Sequence, residues 1–170
     1  VLPETQALYG FLIAILLMVG GGIVGATTTG LSSGIGLIAV GCGIAVGFAA
    51  VSAVGQGIAA SAGINAVNEN PKSFGKSILF SVLPETQALY GFLIAILLMV
   101  GGGLVGIVKQ GIDLPIGLVA IGAAIATGIA GISAVGQGMA ASSGIATVAK
   151  DEKSFGKSIL FSVLPETQAL

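Results

Sequence analysis

The octapeptide Val-Leu-Pro-Glu-Thr-Gln-Ala-Leu occurs three times in the chain, at residues 1–8, 82–89 and 163–170. It places three glutamates at equal intervals along the chain, namely Glu4, Glu85 and Glu166. The sequence between the octapeptides keeps the same period, since Ser-Ala-Val-Gly-Gln-Gly occupies both 52–57 and 133–138. Such self-similarity predicts an array of one repeated structural unit.

The composition of the chain is that of a membrane protein. Of 170 residues, 55% are hydrophobic and 8% are charged, and the mean hydropathy is +1.09. Residues 31–67 and 114–149 contain no charged side chain. Each of these stretches is longer than the roughly 20 apolar residues that cross a bilayer as a helix. We therefore predict long transmembrane helices.

The same composition excludes several classes of function. A net charge of -1 gives no generic basic surface for nucleic acid. The chain has no His and a single Cys, which removes most metal-site and nucleophile chemistry, so we assign no catalytic residue and no cofactor. Cys42 has Ala123 as its repeat partner, which indicates a small packing residue without a redox role.

Each repeat unit is interpreted as two helices joined by a polar loop, so the predicted fold class is an all-α membrane protein of tandem transmembrane helical hairpins. The predicted parts are the outer-helix portion of a preceding hairpin at 1–25, a first complete hairpin at 26–107 (inner helix about 33–67, outer helix about 73–100), and a second hairpin at 108–170 (inner helix about 114–149, outer-helix start 154–170). Because the chain opens without Met and stops shortly after a third copy of the octapeptide begins, we expect a window from a longer sequence.

Small residues recur every four positions along both predicted inner helices. The two rows are Ala39, Gly43, Gly47, Val51, Gly55, Ala59, Gly63 and Ala120, Ala124, Gly128, Ile132, Gly136, Ala140, Gly144. Lipid gives helices no hydrophobic reason to associate, so a face of small residues that permits close backbone approach is the expected contact. We predict a tight inner ring of these helices, with the bulkier outer helices facing lipid.

Glu85 is the one charged residue between 77 and 100. A charged side chain at the bilayer centre costs at least about 2.5 kcal/mol on insertion scales, so Glu85 needs a partner or a proton. Glu85 follows Pro71 at the same sequence separation by which Gln56 precedes Asn70. At a rise of about 1.5 Å per residue, both lie about 21 Å from the loop. The second unit repeats this register with Gln137 and Glu166.

Pro84 adds a second feature at this depth, because it cannot donate a hydrogen bond to the carbonyl four residues earlier. We expect this to leave backbone oxygen available beside Glu85, next to the Thr86 hydroxyl and the Gln87 amide. Oxygen ligands of this kind suit hard cations, so we interpret the cluster as an ion site with one carboxylate.

Lysines concentrate at the polar loops, at positions 72, 76, 150, 153 and 157, whereas the opposite turns offer only Lys109 against Asp113. This asymmetry predicts cytoplasmic polar loops and hairpins that point the same way. The loops are solvated turns or a docking surface, and the sequence leaves both open. Gly75-Lys76-Ser77 is similar to the end of a phosphate-binding loop, but the upstream glycine is missing, so we interpret Lys76 as an interfacial anchor.

The whole chain resembles the proteolipid (K or c) subunit of V-type and archaeal-type rotary ATPases. The segments that carry the resemblance are Leu-Pro-Glu-Thr-Gln-Ala-Leu-Tyr-Gly (2–10 and 83–91), Ser-Ala-Val-Gly-Gln-Gly (52–57 and 133–138) and Phe-Gly-Lys-Ser (74–77 and 155–158). The resemblance implies two ion-binding sets: Leu2, Thr5, Gln6, Gln56 and Glu85 with Tyr9 in support, and Leu83, Thr86, Gln87, Gln137 and Glu166 with Tyr90 in support. Glu4 would then pair with a neighbour outside this chain.

For function, the resemblance implies a rotor ring of identical subunits that turns in the lipid bilayer of a prokaryotic cell membrane. It also implies a static membrane subunit bearing an arginine, and a central stalk at the cytoplasmic loops. The transported ion would be Na⁺ or H⁺: the neutral oxygens of Thr5, Gln6 and Gln56 favour Na⁺, while amides bonded to a protonated glutamate would suit H⁺. The rival from another class is a passive pore or a structural scaffold of the same hairpins.

Overall fold

The structure is a computed structural model that describes residues 2–25, 30–107 and 111–170. In these ranges the chain is helical and contains no strand. Eight α-helices follow in order: α1 (Thr5–Gly20), α2 (Ser33–Ala49), α3 (Ser52–Glu69), α4 (Phe74–Val82), α5 (Thr86–Gly101), α6 (Leu114–Ala130), α7 (Ser133–Lys150) and α8 (Phe155–Val163). The prediction of an all-α membrane protein of helical hairpins is confirmed. The predicted boundaries at residues 26 and 108, and Lys109, lie outside the described residues.

The helices join end to end into four stretches that are long and apolar enough to cross a membrane. These are Leu2–Gly20, Ser33–Glu69, Pro71–Gly101 and Leu114–Lys150. The two inner helices of 37 residues would each extend about 55 Å, more than the roughly 30 Å hydrocarbon core. Each inner helix is therefore longer than the hydrocarbon core, and the lysines lie near its loop-side end.

The polar loops fix where each inner helix ends and each outer helix begins. The Asn70 side-chain oxygen accepts a hydrogen bond from the Lys72 N–H at 3.1 Å, and Asp151 caps Lys153 in the same way at 3.1 Å. Each cap starts a short 3₁₀ turn, which is why the first outer helix begins at Pro71, slightly before the predicted start. These local side-chain to backbone hydrogen bonds explain why the outer helices begin slightly before the residues predicted for them.

The two hairpins lie side by side and point the same way. At the polar end, the Asn70 side-chain amide donates to the Ala149 carbonyl at 3.0 Å, and Lys76 pairs with Glu152 at 3.1 Å. At the opposite end, the Ser32 hydroxyl donates to the Ile112 carbonyl at 2.9 Å. Both ends of neighbouring hairpins are thus tied at equal height.

Each inner helix has one irregular turn in its middle. Ala50 and Val51 interrupt the first helix, and Gly131 and Ile132 interrupt the second. Backbone bonds there run from residue i to i−3, as in Val54 N–H to the Val51 carbonyl at 2.9 Å. The irregular turn occurs in both units and is therefore a property of the repeat. It changes the direction in which the side chains of the following inner-helix residues point.

The contact between inner helices corrects the predicted small-residue face. Gly43 and Gly47 are exposed in this chain, with no atom within 4 Å of a Cβ built on either. Their repeat equivalents Ala124 and Gly128 are buried, and a Cβ on Gly128 would lie 2.9 Å from the Phe48 Cβ. The four-residue row is therefore not one contact surface.

The physical reason lies in helix geometry. Residues four apart on a helix of about 3.6 residues per turn advance by about 40°, so a row of seven positions turns through about 240°. Such a row passes from one neighbour to another. Gly41 on the first inner helix packs on the backbone of the second, and Gly34 packs on the residues just before the second helix begins. Gly117 and Gly131 complete the contact from the other side.

Outer helices cover the inner pair from the other face. Helix α1 packs on α2 and α5, in the position of the outer helix of a preceding hairpin. Cys42 is fully buried between inner and outer helices, and its thiol donates to the Ala95 carbonyl at 3.4 Å. On the polar-loop side, Phe80 is fully buried against the second hairpin, where a Cβ on Gly144 would lie 2.7 Å from its ring.

Candidate ion-binding sites

Four glutamines are buried in the middle of this apolar bundle. Gln6 is 2% exposed, and Gln56, Gln87 and Gln137 are fully buried. A buried amide without hydrogen-bond partners costs several kcal/mol in an apolar environment, so each of these side chains needs polar neighbours. The structure supplies them in two separate clusters.

The first cluster draws on three helical segments. From the N-terminal outer helix, the Gln6 amide donates to the Gln56 side-chain oxygen at 2.9 Å, and the Tyr9 hydroxyl donates to Glu85 Oε1 at 2.9 Å. From the inner helix, Gln56 Nε2 donates to Glu85 Oε2 at 3.2 Å. The Thr5 hydroxyl lies 3.1 Å from the Leu2 carbonyl and 3.2 Å from Gln6 Oε1. All six residues of the first predicted set thus form one hydrogen-bonded group.

The second cluster repeats the first with closely similar distances. Gln87 donates to the Gln137 oxygen at 2.7 Å, Gln137 Nε2 donates to Glu166 Oε2 at 3.3 Å, and Tyr90 donates to Glu166 Oε1 at 3.0 Å. The Thr86 hydroxyl lies 3.0 Å from the Leu83 carbonyl. The outer helix Pro71–Gly101 therefore gives its glutamate to the first cluster and its Thr, Gln and Tyr to the second.

Glu4 stands apart from both clusters. It is exposed, and in the described part of the chain no glutamine of an inner helix bonds to its carboxylate.

The short 3₁₀ segments Leu2–Glu4 and Leu83–Glu85 explain how a backbone oxygen reaches each cluster. We expected the carbonyl four residues before Pro84, that of Phe80, to be left available. Instead it accepts the Leu83 N–H, because the helix tightens by one residue at this point. The backbone carbonyl in the first cluster is that of Leu2, which accepts from the Thr5 hydroxyl, and the one in the second cluster is that of Leu83, which accepts from the Thr86 hydroxyl. Tightening of this kind satisfies the backbone that proline would otherwise leave open.

The electrostatic character of the clusters follows from their hydrogen bonds. Both oxygens of Glu85 accept, one from a phenol and one from an amide. In its ionised form this carboxylate would lie beside neutral oxygens, with no Lys or Arg among its hydrogen-bond or ion-pair partners in the described residues. The arrangement can hold one small cation.

Three features of the region were not expected from the sequence. The two glutamines of each cluster bond directly to one another, and the Tyr9 ring packs on Phe92 with ring centroids 5.2 Å apart. The hydroxyls of Ser52 and Ser133, one turn before Gln56 and Gln137, are buried without a partner in the described part of the chain. The sequence indicates this contact only through the position of Phe92, two helical turns after Glu85. Spacing alone does not show which tyrosine Phe92 contacts.

Comparison with known proteins adds a separate line of observation. The chain matches the family of the ATP synthase C subunit over residues 40–98 and 121–170. It is 46% identical to the A-type ATP synthase subunit K of Methanocaldococcus jannaschii, over 99% of this chain and 70% of that protein. It is 33% identical to the V-type sodium ATPase subunit K of Enterococcus hirae, over 70% of this chain and 73% of that protein.

Proposed function

This chain belongs to the family of ATP synthase C subunits, the membrane rotor-ring subunits of A/V-type rotary ATP synthases and ATPases, and we propose that its Glu85 and Glu166 carry Na⁺ across the membrane. The observation that carries the proposal is the pair of matching clusters, each with one carboxylate among neutral oxygens at the middle of the bundle. Transport of the ion is coupled to synthesis or hydrolysis of ATP elsewhere in the complex.

The donor set fits Na⁺ as cargo. Hard cations prefer oxygen ligands, and each cluster contains a backbone carbonyl, a hydroxyl, two amide oxygens and a carboxylate. In the first cluster these come from Leu2, Thr5, Gln6, Gln56 and Glu85. One negative charge matches one monovalent cation, so the loaded site is neutral. The name of the Enterococcus hirae relative, a sodium ATPase, supports the same ion.

A proton is the alternative cargo, and the number of neutral oxygens in each cluster argues against it. A proton needs only the carboxylate, so Thr5, Gln6 and Gln56 would be polar groups buried without a task. The hydrogen bonds to Glu85 fit either cargo, because the Tyr9 hydroxyl can accept from a protonated Glu85 as well as donate to an ionised one.

Neutrality of the loaded site also explains how the glutamate crosses lipid. A bare carboxylate at the bilayer centre costs at least about 2.5 kcal/mol on insertion scales, and a bound cation removes that charge. We infer that the ring turns with loaded sites facing lipid. Each glutamate then exchanges its ion where the static subunit presents an arginine, as the family resemblance implies.

The ends of the two-hairpin array support assembly into a ring of further hairpins. An exposed groove beside Gly43 and Gly47 is also lined by Val40, Ile44, Phe48 and Val51. Its two glycines are the repeat equivalents of Ala124 and Gly128, which are buried in the second hairpin. Interfaces that join unlike faces generate rings when the rotation closes. The polar loops, with five lysines, would face the cytoplasm and the central stalk.

A passive pore or scaffold accounts less well for these contacts. A pore needs polar side chains directed into a continuous water path, but the polar groups at this depth bond to one another within closed clusters. A scaffold has no need for a carboxylate in lipid, where ionisable residues are costly and typically functional.

The ion is tested by measuring carbodiimide labelling of Glu85 and Glu166 in the intact ring across sodium concentrations at fixed pH. Sodium should protect both glutamates in the parent protein. Replacing Gln56 and Gln137 by Ala together should raise the sodium concentration for half-protection about ten- to a hundredfold, because a ligand bonded to a charged group is worth about 1.5 to 3 kcal/mol. Replacing every Thr of the sets by Ala should act in the same direction.

The matched control is replacement of Ser61 and Ser142 by Ala, which are repeat equivalents on the same inner helices but lie outside the clusters. These variants should show the parent's sodium dependence. If sodium protects neither glutamate in the parent protein, the clusters carry protons and the proposal of sodium transport is wrong.

Ring assembly is tested separately at Gly47. In Gly47→Leu the two hairpins of one chain should keep their mutual contact, because no atom lies within 4 Å of a Cβ at this position. Assembly of subunits into a ring should fail, since the equivalent Gly128 is closely packed on Phe48. Native gel electrophoresis of detergent-solubilised protein distinguishes helical subunits from intact rings. Rings formed at the parent's yield would show that this face is not an interface between subunits.

A further inference from the structure

Tyr9 contacts the first ion cluster with one end of its side chain and Phe92 with its ring. Its hydroxyl donates to Glu85 at 2.9 Å, while its ring lies on that of Phe92 with centroids 5.2 Å apart and an interplanar angle of 32°. Glu85 and Phe92 belong to the same outer helix, whereas Tyr9 belongs to the preceding one. The tyrosine is thus held at two points by its neighbour.

The hydrogen bond to Glu85 and the ring contact with Phe92 depend on each other, because burial alone does not fix the partly exposed Tyr9 side chain. Both aromatic rings border the apolar core between helices α1, α2 and α5 and are partly exposed at its edge. Rotation about the first side-chain bond would carry the Tyr9 hydroxyl away from Glu85 and leave that carboxylate with Gln56 as its single donor among the described residues. Packing against Phe92 opposes that rotation. Aromatic pairs contribute about 0.5 to 1.5 kcal/mol beyond the area they bury.

We propose that Phe92 is a positioning residue that holds the Tyr9 hydroxyl on Glu85 and so sets how readily the first ion site opens. The inference rests on the proposed function of that site as an ion carrier. Phe92 acts through Tyr9 and does not contact the ion. The outer helix that contains Glu85 then supplies two parts of one site, its glutamate and its phenylalanine, while its own tyrosine serves the following site.

The chain contains its own reference site for a test. Glu166 is held by Tyr90, whereas Phe92 packs on the ring of Tyr9. Phe92→Leu should therefore affect Glu85 and leave Glu166 unchanged in the same molecule. A general loosening of the bundle would affect both glutamates.

The first measurement is the rate of carbodiimide labelling of each glutamate in sodium-free buffer, with the intact ring verified by native gel. Cleavage after Lys76 and Lys157 separates the two labelled peptides for mass spectrometry. In Phe92→Leu, labelling of Glu85 should accelerate about two- to tenfold relative to Glu166, as expected from loss of an aromatic pair. Phe92→Trp, which retains an aromatic face, should return the ratio towards that of the parent.

Phe11→Leu is the matched control, because Phe11 is the repeat equivalent of Phe92 in the same local sequence but pairs with the ring of neither Tyr9 nor Tyr90. It should leave the ratio of Glu85 to Glu166 labelling unchanged. Tyr9→Phe removes the hydroxyl itself, so adding Phe92→Leu to it should produce no further acceleration. An unchanged ratio in Phe92→Leu, or an additive effect in the double variant, overturns the positioning role.

A sodium titration then separates this inference from the proposed function. In Phe92→Leu the sodium concentration for half-protection should rise about two- to tenfold at Glu85 alone. Absence of sodium protection at both glutamates in the parent would reject sodium as cargo, while the sodium-free labelling ratio would still decide whether Phe92 positions Tyr9.

Discussion

Glu85→Gln is expected to abolish ion transport and the ATP turnover coupled to it, while the ring still assembles. The amide preserves the volume of the side chain and can still accept the hydrogen bond from Tyr9. It carries no negative charge, so the neutral oxygens of Thr5, Gln6 and Gln56 would have no anion with which to hold Na⁺. The assembled ring should not be destabilised, because a charge in lipid costs at least about 2.5 kcal/mol that the amide avoids.

The measurement is ATP-driven sodium uptake into liposomes that contain the whole complex, alongside ATP hydrolysis. Glu69→Gln makes the same chemical change at an exposed position near the polar loop and should retain the parent's uptake. Glu166→Gln should behave like Glu85→Gln, because its cluster has the same hydrogen bonds. Sodium uptake by Glu85→Gln at the control's rate would contradict the assignment of the carboxylate as the ion carrier.

Gly55→Ala and Gly138→Ala are expected to prevent ring assembly, which is the largest structural effect that a single methyl group should have in this protein. These glycines lie where the two inner helices touch backbone to backbone. A Cβ on Gly55 would overlap the Ala134 carbonyl oxygen and lie 2.7 Å from the Ala134 carbonyl carbon, and a Cβ on Gly138 would overlap the backbone of Gly55. Backbone atoms cannot move aside as a flexible side chain does, so the helices must separate.

Overpacking of this kind typically lowers the free energy of unfolding by about 1 to 3 kcal/mol, and here it recurs in every subunit of the ring. Separation would also displace Gln56 and Gln137, the immediate neighbours of these glycines, from the ion clusters. Gly75→Ala is the control, since no atom lies within 4 Å of a Cβ built there or on its repeat equivalent Gly156. Equal yields of intact ring from Gly55→Ala and Gly75→Ala, compared by native gel, would show that the close backbone contact is not required.

The sequence by itself determined the unit, its place in the membrane and the depth of the site. The regular repeat, the uncharged stretches and the loop residues are local properties of the chain. Distance along a helix is fixed by its rise per residue, so counting from the loop was enough to put Gln56 and Glu85 at one height. The structure bonds these two side chains at 3.2 Å. The pairing of Gln56 with Glu85 therefore follows from positions along the sequence alone.

Only the tertiary structure decided which faces of the helices meet. Depth along a helix says nothing about direction around it, and the mid-helix turns at Ala50 and Gly131 change that direction. The four-residue row of small residues was misread for this reason, since it turns around the helix, so that Gly55 contacts the second inner helix while Gly47 does not.

The placement of Thr5, Gln6 and Tyr9 beside the glutamate of the following hairpin likewise depends on the order of hairpins in space. The sequence suggested that placement through resemblance alone. The contact of Tyr9 with Phe92 joins residues on two successive outer helices through lateral packing, which no period along the chain encodes.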